Sequence, residues 1–296
     1  MNIAFVGQMQ YFDCSIPEKI KGVDQIHKIH VNGDFMKPDN YSVLLGYPDI
    51  DYWFFFRGEF LPQNIADKLP GVKVNISTEP LQRSDTPYCL KATIGKFDKM
   101  YHYDKTHLNS LQGMGIKVDG SFQLPVNLNL YRPIDILSHG KSWDVGFIGR
   151  STDSRERHFD LFTPKREAYM GTLKHYRNFL HISHGMYGED LVHILNRIKI
   201  HLNIHISTYT QLQHRMQNIA ACKQFIVSEP LSHEEDFKPY KHFVPFKSAT
   251  DLHQEVEYYL ENGKEREKIA TNAFEMVKER FDAEKEWAKL IERVKA

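Results

Sequence analysis

IHLNIHISTYTQLQHRMQNIAACKQFIVSEP, residues 200–230, reads as a strand, a turn, a helix and a second strand. Ile200, Leu202, Ile204 and Ile206 alternate as one face of a buried strand. Thr208 and Gln211 have capping-box spacing, and Leu212, Met216, Ile219 and Ala220 then recur at the i, i+4, i+7 and i+8 positions of a buried helix face. Phe225, Ile226 and Val227 resume the sheet. A helix that begins just past a strand's carboxyl end turns unpaired N–H groups and a positive dipole end toward the crevice at the sheet edge. Arg215 adds a cation to that helix, a combination suited to a diphosphate.

Outward from this unit, the 296 residues are enough for two domains of ordinary size. Hydrophobic residues make up 41% and charged residues 26%, the proportions of a soluble globular protein. Thirty-eight basic residues balance 38 acidic ones, so no global field gathers nucleic acid or anionic membrane, and any basic site is local. No apolar run approaches the ~20 residues of a membrane span, and the first strand lacks the flanks of a secretion signal. A cytoplasmic location is expected. Cys14, Cys89 and Cys222 have no paired spacing, against both a disulfide framework and a cysteine-rich zinc site.

The pattern predicts strands over 3–6, 25–31, 52–56, 72–77, 99–103 and 121–124, with helices over 62–69 and 105–114 between them. LPVNLNLYRP, residues 124–133, carries two prolines across a composition change and marks an interdomain linker. The expected domains are 1–128 and 129–296. A second alternation begins with VGFIG after Asp144 and continues through a strand at 179–182, a helix at 189–198 and the 200–230 unit. VNISTEPL (74–81) and FIVSEPL (225–231) echo one another at a strand-to-Glu-Pro exit. The fold class is α/β with two Rossmann-like domains. In the helical tail, Ser248 and Asp251 form a capping box, Gly263 is a helix stop ahead of a helix over 265–280, and Asp282 is the N-cap of a last helix. Trp287, Leu290, Ile291 and Val294 give that helix a narrow stripe, suited to a strap docked on the N-terminal domain rather than to a central core helix.

LPVNLNLYRP, WDVGFIGR from Trp143, YGEDLVHILNRIKIHLNIH from Tyr187, RMQNIAACKQFIVSE from Arg215 and YYLENGKEREKIATNAFEMVKERF from Tyr258 resemble, in order and spacing, the group 1 glycosyl transferases, and within them the CgeB-like branch named for spore maturation proteins. The resemblance covers residues 124–287. It implies a GT-B architecture: two Rossmann-like domains facing across a cleft, the second binding a nucleotide-sugar, and a last helix crossing back to the first. It also implies hexosyl transfer from a UDP- or GDP-linked donor, without a cofactor and with retention of configuration. One departure stands out. Relatives usually carry a Glu that holds the donor ribose where this chain has Asn218, which keeps a hydrogen bond but gives up the charge-assisted bond of a carboxylate.

Candidate donor contacts are therefore Gly149, Arg150, Asn203, His205, Thr210, Arg215 and Asn218. Gly149 lets backbone approach a diphosphate and Arg150 neutralises it, the alternative being a turn with a solvated Arg. Arg215 binds donor phosphate or pairs with a surface acid. Asn203 and His205 are costly as filler in a strand buried on both faces, which favours cleft contacts. On the N-terminal side, Gly7 and Gln8 follow the first strand, and Glu79 leaves another as either the general base of an inverting reaction or a helix N-terminal carboxylate. Arg57 and Glu59 are candidate acceptor contacts. No metal is expected: His201 and His205 would stand ~13 Å apart on a strand, and Asp49 and Asp51 read as a turn. The acceptor is left open among a glycan, a protein, a small molecule and a modified DNA base, the last favoured by Lys and Arg between 141 and 177. A catalytically silent nucleotide-sugar or glycan-binding module is the other alternative, motivated by Asn218.

Overall fold

The computed structural model describes the chain except residues 32–37, 80, 82–85, 136–139, 150–163, 174–177, 184, 206–211 and 233–235, with backbone alone at 38, 39, 86 and 164. It comprises two compact units, Met1–Asn127 together with Ala283–Ala296, and Leu128–Asp282.

The first unit contains β1 (Asn2–Gly7), α1 (Met9–Ser15), β2 (Gln25–His30), β3 (Tyr52–Phe56), α2 (Gln63–Ala66), β4 (Val72–Ser77), α3 (Thr86–Lys91), β5 (Lys99–His102), α4 (Leu108–Gly113) and β6 (Gly120–Ser121). Its sheet has the order β2-β1-β3-β4-β5-β6, parallel throughout. Strands covered on both faces read as continuous apolar runs, and AFV in β1 and WFFF in β3 are such runs. Ile3, Phe5, Phe54, Phe56, Val74 and Ile76 line one face, while Ala4, Val6, Trp53 and Phe55 line the other.

The last helix belongs to this unit. α10, Ala283–Lys295, lays Trp287, Leu290, Ile291 and Val294 into the first face. The Trp287 ring centroid lies 4.7 Å from Phe5, 5.5 Å from Phe54, 6.0 Å from Phe56 and 4.7 Å from Phe122. Its Nε1–H donates to the Ser15 carbonyl at 2.7 Å. The helix thus crosses back to the N-terminal sheet and docks a single face there, as its narrow stripe leads one to expect, while Glu284, Lys285, Lys289, Glu292 and Arg293 on the opposite side stay exposed. The stripe can be narrow because one large indole covers several sheet positions that a wider stripe of smaller residues would otherwise fill.

The second unit contains β7 (Trp143–Ile148), α5 (Pro164–Gly171), β8 (Phe179–Ile182), α6 (Gly188–Asn196), β9 (Ile198–Asn203), α7 (His214–Ala221), β10 (Phe225–Ser228), β11 (Val244–Pro245), α8 (Ala249–Glu261) and α9 (Gly263–Arg280). Its parallel sheet runs β11-β10-β9-β7-β8. The Ser248 Oγ caps α8 by accepting the Asp251 N–H at 3.1 Å, as the spacing requires. α8 stops at Glu261 with Asn262 as its cap, as expected, and α9 then opens at Gly263, earlier than the expected residue 265. α7 begins later than expected, after an extended Gln213 with φ −95° and ψ 145°. The Thr208–Gln211 pair lies outside the described residues.

In each sheet the strand order reverses once, between β1 and β3 in the first and between β7 and β9 in the second. Ligands of parallel α/β sheets sit beyond the strands' carboxyl ends at such switch points. Among the described residues, no helix is long and apolar enough to cross a membrane.

Candidate functional site

The switch point of the second sheet is built around Gly149. It directly follows β7 with φ +153°, a conformation that side chains disfavour, and its N–H donates to the Ile182 carbonyl at 2.8 Å. Arg215, in the first turn of α7, reaches over this glycine. A β-carbon at 149 would stand 2.5 Å from Arg215 Nη2 and 3.2 Å from Cζ. The guanidinium also lies 4.9 Å from the centroid of the Phe147 ring, and Nη1 donates to Asn203 Oδ1 at 3.3 Å.

A second guanidinium shares that ring. Arg166, buried on α5, has Cζ 5.4 Å from the Phe147 centroid, and its Nε–H donates to the Ile204 carbonyl at 2.9 Å. Burial, and then the neighbouring charge of Arg166, depress the Arg215 pKa to about 9. Glu229, at the exit of β10, accepts the His205 backbone N–H at 2.7 Å and pairs with Lys165 at 2.8 Å. Burial works against its charge, but His205 and Lys165 outweigh that and hold the carboxyl below its usual range. Among the described residues of this site, Lys165, Arg166 and Arg215 thus face the single carboxylate of Glu229. A doubly charged anion would meet the surplus.

The structure brings together Gly149, Asn203, His205 and Arg215. Asn203 and His205 are fully buried at the end of β9, with Asn203 Nδ2 donating to Ser228 Oγ at 2.9 Å. Asn218 is buried one turn beyond Arg215 on α7. Arg150 and Thr210 lie outside the described residues. Arg166, Lys165 and Glu229 were not expected. The first two lie in a basic stretch without periodicity, whereas the VSEP exit, echoing STEP at 77–80, was a usable sign of Glu229.

Gly7, Gln8 and Glu79 form a separate group at the carboxyl edge of the first sheet. Glu79 Oε1 accepts from Arg57 Nη1 at 2.8 Å, while Arg57 Nε–H donates to Glu59 at 2.9 Å. The described part of α3 begins at Thr86, and residues 80 and 82–85 between it and Glu79 lie outside the described residues. Among the described residues, no group of three His, Cys, Asp or Glu is placed to hold a metal ion. His201 is buried, bonded to the Leu195 carbonyl at 2.9 Å, and Asp51 accepts the Asn2 N–H at 2.7 Å.

The glycosyl transferase-like family model matches residues 147–292, which span Gly149, both arginines and Glu229. Over those residues, just under half of the chain, the protein is similar to the glycosyl transferase-like family. No curated protein matches by sequence. Among solved structures, Anabaena Alr3699/HepE in complex with UDP-glucose is similar with a TM-score of 0.64 at 9% identity, covering 100% of this chain and 99% of that one. Sucrose-phosphate synthase from Thermosynechococcus elongatus gives 0.63 at 10% identity, covering 99% of each chain. An alpha-glucosyltransferase in complex with UDP and a DNA containing an HMU base gives 0.61 at 9% identity, also covering 99% of each. At these identities the likeness concerns the fold, which is GT-B, with two Rossmann-like domains.

Proposed function

We propose that the chain is a hexosyl-type glycosyltransferase whose donor, a UDP- or GDP-linked sugar, binds the second unit. The observation that carries this reading is the pair of guanidiniums, Arg215 and Arg166, held on the Phe147 ring beside Gly149. The diphosphate lies against Gly149 and this pair, and the ribose against Asn218. As the bond between the sugar's anomeric carbon and the phosphate oxygen lengthens, negative charge grows on the departing diphosphate. Arginines already fixed by Phe147, Asn203 and Ile204 stabilise it without reorganising. This leaving-group stabilisation needs neither a metal nor a cofactor, and the family resemblance favours retention. The UDP-glucose complex of the Anabaena protein is consistent with the assignment.

Calorimetry of the intact protein with UDP and GDP, in chelator, tests the site, and release of free sugar from the matching nucleotide-sugar tests the chemistry. Failure of both nucleotides to bind overturns the donor assignment. Asn218 supports a second reading, in which the same site binds a nucleotide-sugar without turning it over. Tight binding with no hydrolysis and no transfer to any offered acceptor would favour that module.

A further inference from the structure

An open hollow of about 360 Å³ lies on the second unit, between the connection from β10 to β11 and the last turns of α9. None of the donor contacts lines it. The connection is tightly wound: the Lys241 and His242 N–H groups both donate to the Lys238 carbonyl, at 3.3 and 2.9 Å, which sets Lys238, Lys241 and His242 on one side. Tyr240 between them is left-handed, with φ 57°, a strain that the winding imposes. Buried Phe237, its ring centroid 6.4 Å from that of Phe281, pins the turn to the end of α9. From α9, Asn272, Glu275, Met276 and Glu279 recur at i, i+3, i+4 and i+7 and make the opposite wall.

The two walls differ in charge. Among the described residues neither Lys238 nor Lys241 pairs with an acid, whereas Asp236 is held by Arg280 at 3.0 Å and Glu275 by Lys278 at 3.4 Å. Glu279 is the carboxylate of the lining without such a partner among the described residues. His242 is only 5% exposed. Its Nδ1 lies 3.1 Å from the Lys238 backbone nitrogen and 2.9 Å from the Asp236 carbonyl, and Nε2 has no hydrogen-bond partner among the described residues. Burial first, and then the charges of Lys241 and Lys238, lower its pKa, so the free ring favours its neutral form.

We propose that this hollow binds a sugar monophosphate, with the phosphate against Lys238, Lys241 and His242 and the hydroxyls against Asn272 and Glu279. A phosphate supplies acceptors for both ammoniums and lets the imidazole protonate, Nδ1–H donating to the Asp236 carbonyl and Nε2–H to a phosphate oxygen. Glu279 accepts an O–H, and the Asn272 amide both donates and accepts, as a polyol requires. The acidic α9 wall opposes a long polyanion such as nucleic acid. The volume is at the small end for ligand sites, which suits one sugar ring and its phosphate. The assignment is independent of the donor reading above.

NMR of the histidine rings in the intact protein tests it, with the His242 signal assigned by its loss in His242→Gln and UDP present to occupy the donor site. Glucose 6-phosphate is the probe, and glucose and inorganic phosphate are its two halves. Glucose 6-phosphate should shift the His242 signal and raise the pH at which it titrates, inorganic phosphate should do so more weakly, and glucose alone should not. Lys238→Ala combined with Lys241→Ala, both exposed positions, should weaken glucose 6-phosphate binding by about tenfold or more and leave the thermal shift given by UDP unchanged. Glu279→Gln should weaken glucose 6-phosphate and spare inorganic phosphate. A silent His242 signal, a response indifferent to the lysine variant, or one seen without UDP and abolished by it overturns the site. Equal affinity for glucose 6-phosphate and inorganic phosphate overturns the sugar assignment.

Discussion

Arg215 Nη2 stands 2.5 Å from the point that a β-carbon on residue 149 would occupy, so glycine is required there by its neighbour as well as by its own φ. Gly149→Ala must therefore move either the β7 exit or the guanidinium. Donor affinity should fall in Gly149→Ala and more in Arg215→Ala. The latter should cost about 2–4 kcal/mol in transition-state stabilisation if the guanidinium meets the departing diphosphate. Calorimetry for affinity and single-turnover kinetics for the chemical step provide the readouts.

Donor binding should take up a proton near pH 9. Arg215 is depressed to about 9 in the free protein, and a bound diphosphate favours its charged form. Affinity is then fully present below that pH and weakens as pH rises through it. Calorimetry repeated in buffers of different ionisation enthalpy checks the proton count, and Arg215→Ala should abolish the uptake.

Acid should weaken both units through buried imidazoles. Burial is the leading cause that lowers His102, in β5, to about 4 and His201, in β9, to about 3, from 6.5. As pH falls below 6.5 the unfolded chain binds these protons and the folded chain does not. The stability each neutral imidazole confers is therefore present above 6.5, drains away on descent and stops falling near 4 for His102 and near 3 for His201. Denaturant titrations from pH 7 to pH 4 should show this slope, reduced in His102→Gln.

Trp287→Ala should destabilise the first unit by about 3–5 kcal/mol, the range for deleting a large aromatic from a packed core. Trp287→Phe keeps much of the ring burial but deprives the Ser15 carbonyl of its donor, at a cost of about 1–2 kcal/mol. Differential scanning calorimetry should place the loss in the transition of the first unit.

The strands were the most legible part of the fold. β3, β4 and β8 match the expected residues, since each is an apolar or β-branched run bounded by turn residues. The start of α7 was not legible: Thr208 and Gln211 offer a local cap in the sequence, whereas the helix begins at His214 after an extended Gln213. Arg166 was hidden for a different reason: its place depends on packing against Phe147, far away in sequence, which no local pattern records. Glu79 and Glu229 show how a weak signal gains meaning. Each follows the strand next to its sheet's third member, β4 beside β3 and β10 beside β9, and each pairs with a cation there. The short STEP and VSEP echo was thus the trace of equivalent positions in two sheets.

The place of α10 in the first unit sets an order of assembly during synthesis. The second unit is continuous in sequence and can close its core as soon as residue 282 has left the ribosome. The first sheet, although translated earlier, must wait for Trp287 and its neighbours, and until then the rings of Phe5, Phe54 and Phe56 lack their cover. The half made first is therefore the half finished last, and the nascent chain is most exposed to aggregation and proteolysis in its amino-terminal sheet.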